Sequence, residues 1–305
     1  MSRTLTRNQC IASAVGSSVL SSIATLFKVQ GVISVPPVLS AAGGVLIAGI
    51  LSIAYLFARG QLPKLSSLRA IIFPLLMLIL CRPIISNLLF TIGLSMSSGI
   101  KAIFLTKMEP YLVLFWVWIL DGKKPAPWHL ALLFIHVIGA LLLSLGDLTT
   151  GHEFQWGDLF ILVAVVTAAL SYRYAPQVTK VLSPIQASTL TETIGGLLIL
   201  PFALIICPLE FGHAQQIGWG YILVHSLLFY TIALPLLYAS MQGIESWLAS
   251  TLRAVGPIVA LPIAWMFFGE RLVPIQILGA ALVIITSAAI SRAEKRSRVK
   301  YTANG

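Results

Sequence analysis

Six ionisable side chains lie inside stretches otherwise apolar enough for hydrocarbon: Arg82, Lys101, Lys107, Glu109, Glu192 and Arg253. A charge at the centre of a membrane helix costs about 2.5–3.5 kcal/mol on insertion scales, so such residues face a water-filled cavity or an opposite charge. Bases and acids at that depth can hold an ionic solute, and a buried carboxylate can also take up and release a proton. Proline accompanies three of them: Pro83 follows Arg82, Pro110 follows Glu109, and Pro257 lies four residues after Arg253. Each proline deprives the carbonyl four residues earlier of its usual donor. Ile79, Thr106 and Arg253 therefore carry carbonyls that can meet a ligand donor, and the three prolines are candidate hinges.

Lys107 and Glu109 are two residues apart and point about 200° from each other on a helix. An intrahelical ion pair needs a spacing of three or four, so each must look to another helix or to water. Lys107 with Glu192 and Glu109 with Arg82 are both open. Asn87 and Ser86 follow Arg82 within about one turn and extend its polar face. Tyr111 and Tyr230 can stack on a ligand or simply pack. His225 can carry protons or sit hydrogen-bonded in a core. The candidate substrate-binding set is Arg82, Asn87, Lys107, Glu109, Tyr111, Glu192 and Arg253, with Glu192 and Glu109 as candidate proton-coupling groups. Lys101 lies about one turn from a span end and is expected to snorkel.

Composition decides what kind of chain carries these groups. Of 305 residues, 58% are hydrophobic and 10% charged, where soluble chains carry about 25% charged residues. Apolar runs of about 20 residues without period-two alternation indicate helices. The expected fold is an all-α integral membrane protein with ten transmembrane helices, near 10–28, 36–58, 69–95, 98–120, 128–146, 156–174, 184–208, 217–240, 245–268 and 272–292.

Lys and Arg in the links number fourteen on one side against two, Lys28 and Arg271, on the other. That bias puts both termini in the cytoplasm. It also accounts for the net charge of +10 without nucleic acid. At 1.5 Å per residue, Arg82, Lys107, Glu109, Glu192 and Arg253 each fall roughly 12–20 Å into the bilayer, toward its midplane.

The chain repeats itself. MEPYLVLFWVWILDGKKPAP and VGPIVALPIAWMFFGERLVP align without gaps at an offset of 147, placing Pro110 on Pro257, Gly122 on Gly269, Lys124 on Arg271 and Pro127 on Pro274. Five spans per half is an odd number, so the second half enters the membrane upside-down. Residues 1–149 and 150–305 are thus expected to be two inverted five-helix repeats, the second ending in a basic cytoplasmic tail. That architecture supports alternating access in secondary transporters.

The sequence also resembles a known family. LSMSSGIKAIFLTKMEPYLVLFWVWILDGKKP and GIESWLASTLRAVGPIVALPIAWMFFGERLVPIQILGAALVI are similar to the paired signature of EamA-type carriers in the drug/metabolite transporter superfamily. Gly269, Glu270 and Arg271 keep the family's Gly-Glu-Arg turn. Gly122, Lys123 and Lys124 depart from it. Trp156, Gly157 and Asp158 resemble the opening of the family's second half. The resemblance implies a central cavity lined by spans 1–4 and 6–9, with spans 5 and 10 at the periphery. It implies a carrier, often an exporter, in a bacterial inner membrane, and leaves the solute unnamed.

No H-E-x-x-H, G-x-x-x-x-G-K-[ST], G-x-S-x-G or metal-spaced Cys/His cluster is present, so neither an enzyme nor a cofactor is expected. Without an ATP-binding loop, uphill movement must draw on a proton or a counter-solute. The expected function is secondary active transport of a small polar metabolite, anionic or zwitterionic, such as an amino acid. A membrane sensor or assembly protein without flux is the alternative, and a homodimer is left open.

Overall fold

The computed structural model describes residues 5–97, 102, 105, 106, 108–122, 124–144, 156–207, 212–256, 258 and 274–303. Among these residues all regular structure is helical. The helices are α1 (Arg7–Ser34), α2 (Pro37–Ala58), α3 (Leu65–Ser95), α4 (Glu109–Asp121), α5 (Pro127–Ser144), α6 (Trp156–Thr179), α7 (Pro184–Ile206), α8 (Gln215–Ser240), α9 (Ser246–Leu252) and α10 (Pro274–Ala303). Six of them, α1 to α3 and α6 to α8, are long and apolar enough to cross a membrane. Large apolar side chains such as Phe57, Phe73, Phe134, Phe202 and Ile205 stand exposed on their outer faces, where an integral membrane protein meets lipid.

Local sequence sets the helix ends. Thr6 and Ser183 open α1 and α7 with capping boxes. Each hydroxyl accepts a backbone N–H, and Gln9 or Gln186 returns a side-chain acceptor to the cap N–H at 2.9 Å. These bonds satisfy donors that a helix start leaves unpaired. Pro37 and Pro184 stand in the first turns of α2 and α7, where a missing N–H costs nothing. They are 147 residues apart. Gly122 closes α4 at φ 67°, a left-handed conformation that glycine adopts without strain.

Two spans are interrupted in matching places. Leu80–Ser86 within α3 and Ser226–Ala233 within α8 are π-helical. Shifted by 147, the first falls on 227–233, inside the second. A π turn widens the helix by one residue and loosens its hydrogen-bond ladder.

The packing follows the repeat. α2 runs along α7 and α5 along α10, each helix against its own counterpart, while α1 packs on α8 and α3 on α6. Small residues permit the close approaches. A methyl on Gly196 would meet the Leu46 backbone at 2.9 Å, and one on Gly49 the Thr193 backbone at 2.8 Å. Such contacts replace hydrophobic burial as the glue between membrane helices.

Three sequence expectations need amendment. α1 runs to Ser34, so Lys28 lies within the helix at 5% exposure and does not belong to an outer link. α6 runs to Thr179 and takes in Arg173, which pairs with Asp121 of α4. Pro110 occupies the first turn of α4 after a turn at Met108, so it opens this described helix and does not kink its middle. Lys101, Lys107, Pro257 and the turn Gly269, Glu270 and Arg271 lie outside the described residues.

Candidate functional site

α4 begins with an acid because its first turn favours one. Unpaired N–H groups and the helix dipole stabilise negative charge there, and Glu109 is that residue. Arg253 reaches it from the short 3₁₀ turn Arg253–Val255 that follows α9. Arg253 Nη1 lies 3.1 Å from Glu109 Oε2 and 3.4 Å from Oε1. Tyr172 of α6 joins them: its hydroxyl accepts from Arg253 Nη1 at 3.0 Å and donates to Glu109 Oε2 at 3.2 Å.

Arg82, carried by the π segment of α3, stands 3.9 Å from Glu109 Oε1 and donates to Ser171 Oγ at 3.5 Å. Its guanidinium also lies 5.8 Å from the Tyr172 ring centre, within cation–π range. Four elements that are distant in sequence thus meet at one carboxylate. The two bases outnumber it.

The carbonyl of Arg253, which Pro257 deprives of its usual donor, is not left open. Ser18 of α1 donates its hydroxyl to that carbonyl and accepts the Gly256 N–H at 2.7 Å. One side chain therefore ties α1 to the loosened turn that positions Arg253.

A second polar group sits on α1, α3 and α8. Lys28 Nζ donates to Asn87 Oδ1 at 2.8 Å and lies 5.7 Å from the Phe90 ring centre. Asn87 Oδ1 also accepts from the Tyr230 hydroxyl at 2.7 Å, while its amide donates to the Ala41 carbonyl at 3.1 Å. His225 donates Nδ1–H to the Ala24 carbonyl at 3.0 Å and stacks on Phe229. A carbonyl can only accept, so the imidazole Nε2 carries no proton in the neutral ring.

Both groups open into one cavity of about 220 Å³ between α1, α3, α4, α6, α8 and the α9 turn. Its described charged lining is Lys28, Arg82, Glu109 and Arg253. Ligand pockets for drug-sized molecules run to about 300–1,000 Å³, so this cavity suits a smaller solute.

The profile of the EamA-like transporter family matches residues 8–145 and again residues 155–292. The chain belongs to the EamA-like transporter family. The two matches give it a two-repeat architecture, and with the apolar helices they make it an integral membrane protein. Among its relatives is an uncharacterized transporter, YetK, of Bacillus subtilis (strain 168), 23% identical over 196 residues. That match spans 63% of this chain and 59% of the relative's length. A solved crystal structure shares the fold at a TM-score of 0.77 and 17% identity, over 95% of this chain and 99% of that one.

In this EamA-like chain the structure brings together Arg82, Asn87, Glu109 and Arg253 on the cavity wall, with Pro110 beside them. Of the two charge pairs open in the sequence, Glu109 with Arg82 forms, and the closer partner of Glu109 is Arg253. Pro83 lies in the α3 π segment and packs under Gly195 of α7.

Glu192 takes a different place. It is 1% exposed on α7, behind the wall, and neither carboxylate oxygen has a hydrogen-bond partner among the described residues. Tyr111 points its hydroxyl into packed surroundings, also without a partner. Trp116 donates to the Val166 carbonyl at 3.1 Å and ties α4 to α6.

Sequence reasoning missed Lys28, Tyr172 and Ser171. Lys28 had a signal, a lone cation among apolar residues. The other two are ordinary residues of an apolar helix and carried none.

Proposed function

We propose that the protein is a secondary carrier for a small polar metabolite, anionic or zwitterionic, built from ten spans in two inverted five-helix repeats. The reading is carried by one observation. A small cavity between the halves is lined by three bases, Lys28, Arg82 and Arg253, against the single described carboxylate, Glu109.

The contact pattern supports a rocking mechanism. Under the repeat, α1 corresponds to α6 and α8 to α3, so the α1–α8 and α3–α6 contacts are counterparts across a pseudo-two-fold axis. The matched π segments give α3 and α8 compliant points at the level of the cavity. The four spans beyond the six long helices rest on the apolar runs 98–120, 128–146, 245–268 and 272–292.

With basic links inside, both termini are cytoplasmic, in the manner of a bacterial inner-membrane exporter. A proton or a counter-solute supplies the driving force, and Glu192 and Glu109 are the coupling candidates. Solute counterflow in proteoliposomes against a panel of amino and carboxylic acids tests the reading. Accelerated exchange of one class supports it. Binding without counterflow would make the protein a sensor.

A further inference from the structure

Among the described residues, Lys28 is the buried cavity base with no counter-charge. Arg82 and Arg253 share Glu109, whereas no carboxylate approaches Lys28 among the described residues. Among the described residues its one hydrogen bond goes to Asn87 Oδ1 at 2.8 Å, which leaves two of three ammonium donors without a described acceptor at 5% exposure. A buried cation is costly without a partner. A tie between α1 and α3 needs only a neutral donor, so the charge has another use. Lys28 also lines the cavity, as do Asn87 and Tyr230, which fix its position.

The other end of the cavity narrows the solute. Asn87 and Arg82 are five residues apart on α3, about 7 Å along the axis, so Lys28 and the arginines act on different parts of a bound molecule. A zwitterion would need a free carboxylate for its ammonium group. Glu109 offers none, since Arg253 contacts both its oxygens and Tyr172 donates to one of them.

Resting on the carrier reading, we propose that Lys28 is the seat of a substrate carboxylate and that the transported class is small organic acids without an amino group. A dicarboxylate fits best. One group rests on Lys28 and the other lies toward Arg82, balancing the two surplus charges of the described lining.

The test uses the full chain, purified and in liposomes, with succinate, serine and chloride as probes. Succinate raises the melting temperature of the wild type, and serine and chloride do not. Lys28→Met melts higher than the wild type without ligand, because it removes an uncompensated buried charge. It also weakens succinate binding by about thirtyfold or more, as for loss of a buried charged partner. Lys28→Arg keeps more of the binding than Lys28→Met, since the charge is kept, and stands in if Lys28→Met does not fold.

Succinate binding unchanged in Lys28→Met overturns the assignment. So does a wild type that ignores succinate, binds serine equally well, or responds to chloride alone. Succinate binding that depends on Lys28 without counterflow in the wild type overturns the carrier reading and leaves the site standing. Serine counterflow indifferent to Lys28→Met does the reverse.

Discussion

Arg253 and Glu109 stand 144 residues apart in sequence and meet with Nη1 3.1 Å from Oε2. They join the turn after α9 to the start of α4, one from each repeat, across the wall of the cavity. Any rocking of one half on the other must stretch, break or carry this pair. It is therefore both a structural tie and a gauge of the conformation present.

Glu109→Gln leaves Arg82 and Arg253 without their shared carboxylate. Removing one partner of a buried pair costs about 3–5 kcal/mol, and this pair, with 16% and 13% of the side chains exposed, belongs near the low end. Arg253→Met has a smaller effect, because Glu109 keeps Arg82 and Tyr172. The double variant loses less than the sum of the two, with a coupling of about 1–3 kcal/mol. Unfolding of the four proteins in detergent, read by circular dichroism, measures it. Strict additivity would show that the contact carries no energy.

The α2–α7 seam makes a second prediction. Gly196→Ala places a methyl 2.9 Å from the Leu46 backbone, which cannot turn aside as a side-chain tip can. Overpacking of this kind costs about 1–3 kcal/mol. Gly220→Ala on α8 meets nothing within 4 Å. It is neutral or slightly stabilising, because alanine is the better helix former by about 1 kcal/mol. Melting temperatures of the two variants in the same detergent separate a packing role from a general intolerance of substitution.

These relationships were legible in the sequence to different degrees. Arg82, Glu109 and Arg253 stood out because charge is scarce in hydrocarbon, and that scarcity alone selected three members of the cluster. Their pairing was legible only in part: Glu109 with Arg82 was one open choice, and Arg253 as the closer partner was not among them. It depends on the rotation of α3, on the turn at Met108 and on the 3₁₀ turn after α9, none of which periodicity encodes. Lys28 was misplaced for a simple reason. The stretch after it, VQGVIS, is short and weakly apolar, and resembles the end of a span. The helix continues to Ser34 because the chain is first turned out at Val35 and Pro36, where a residue before proline is driven to extended geometry. Tyr172 gave no signal, since tyrosines in apolar helices usually just pack. The matched prolines Pro37 and Pro184 were in plain view at the repeat offset, and only the helix starts revealed what they share.

Ser18→Ala tests the tie between α1 and the α9 turn. The hydroxyl serves the Arg253 carbonyl and the Gly256 N–H together, so its loss leaves these two backbone groups only their bond to each other. The expected cost is about 0.5–1.5 kcal/mol. A larger effect falls on transport, because Arg253 loses the anchor of its backbone. Ser18→Thr retains the hydroxyl and restores part of both. Counterflow equal to wild type in Ser18→Ala would show that the turn holds its shape unaided.

Glu192 poses the last question, because a carboxylate at 1% exposure with no hydrogen-bond partner among the described residues serves no visible structural end. It lies within electrostatic reach of Arg82, the member of the Glu109 cluster with the longest contact, 3.9 Å. A protonated Glu192 needs no counter-charge. An ionised one draws on Arg82, and so loosens the arginine from Glu109 and from the cavity. Under the carrier proposal, proton occupancy of Glu192 is expected to bias the charge that Arg82 presents to the cavity. Glu192→Gln fixes the neutral state. Solute exchange then survives, while uptake driven by an imposed pH gradient falls by about tenfold or more, within the usual range of allosteric coupling. Stability changes little, because an amide takes the place of the neutral acid in the same space. Gradient-driven uptake in proteoliposomes with and without the substitution decides it. A variant that still follows the pH gradient would remove Glu192 from the coupling route and leave Glu109 as its candidate.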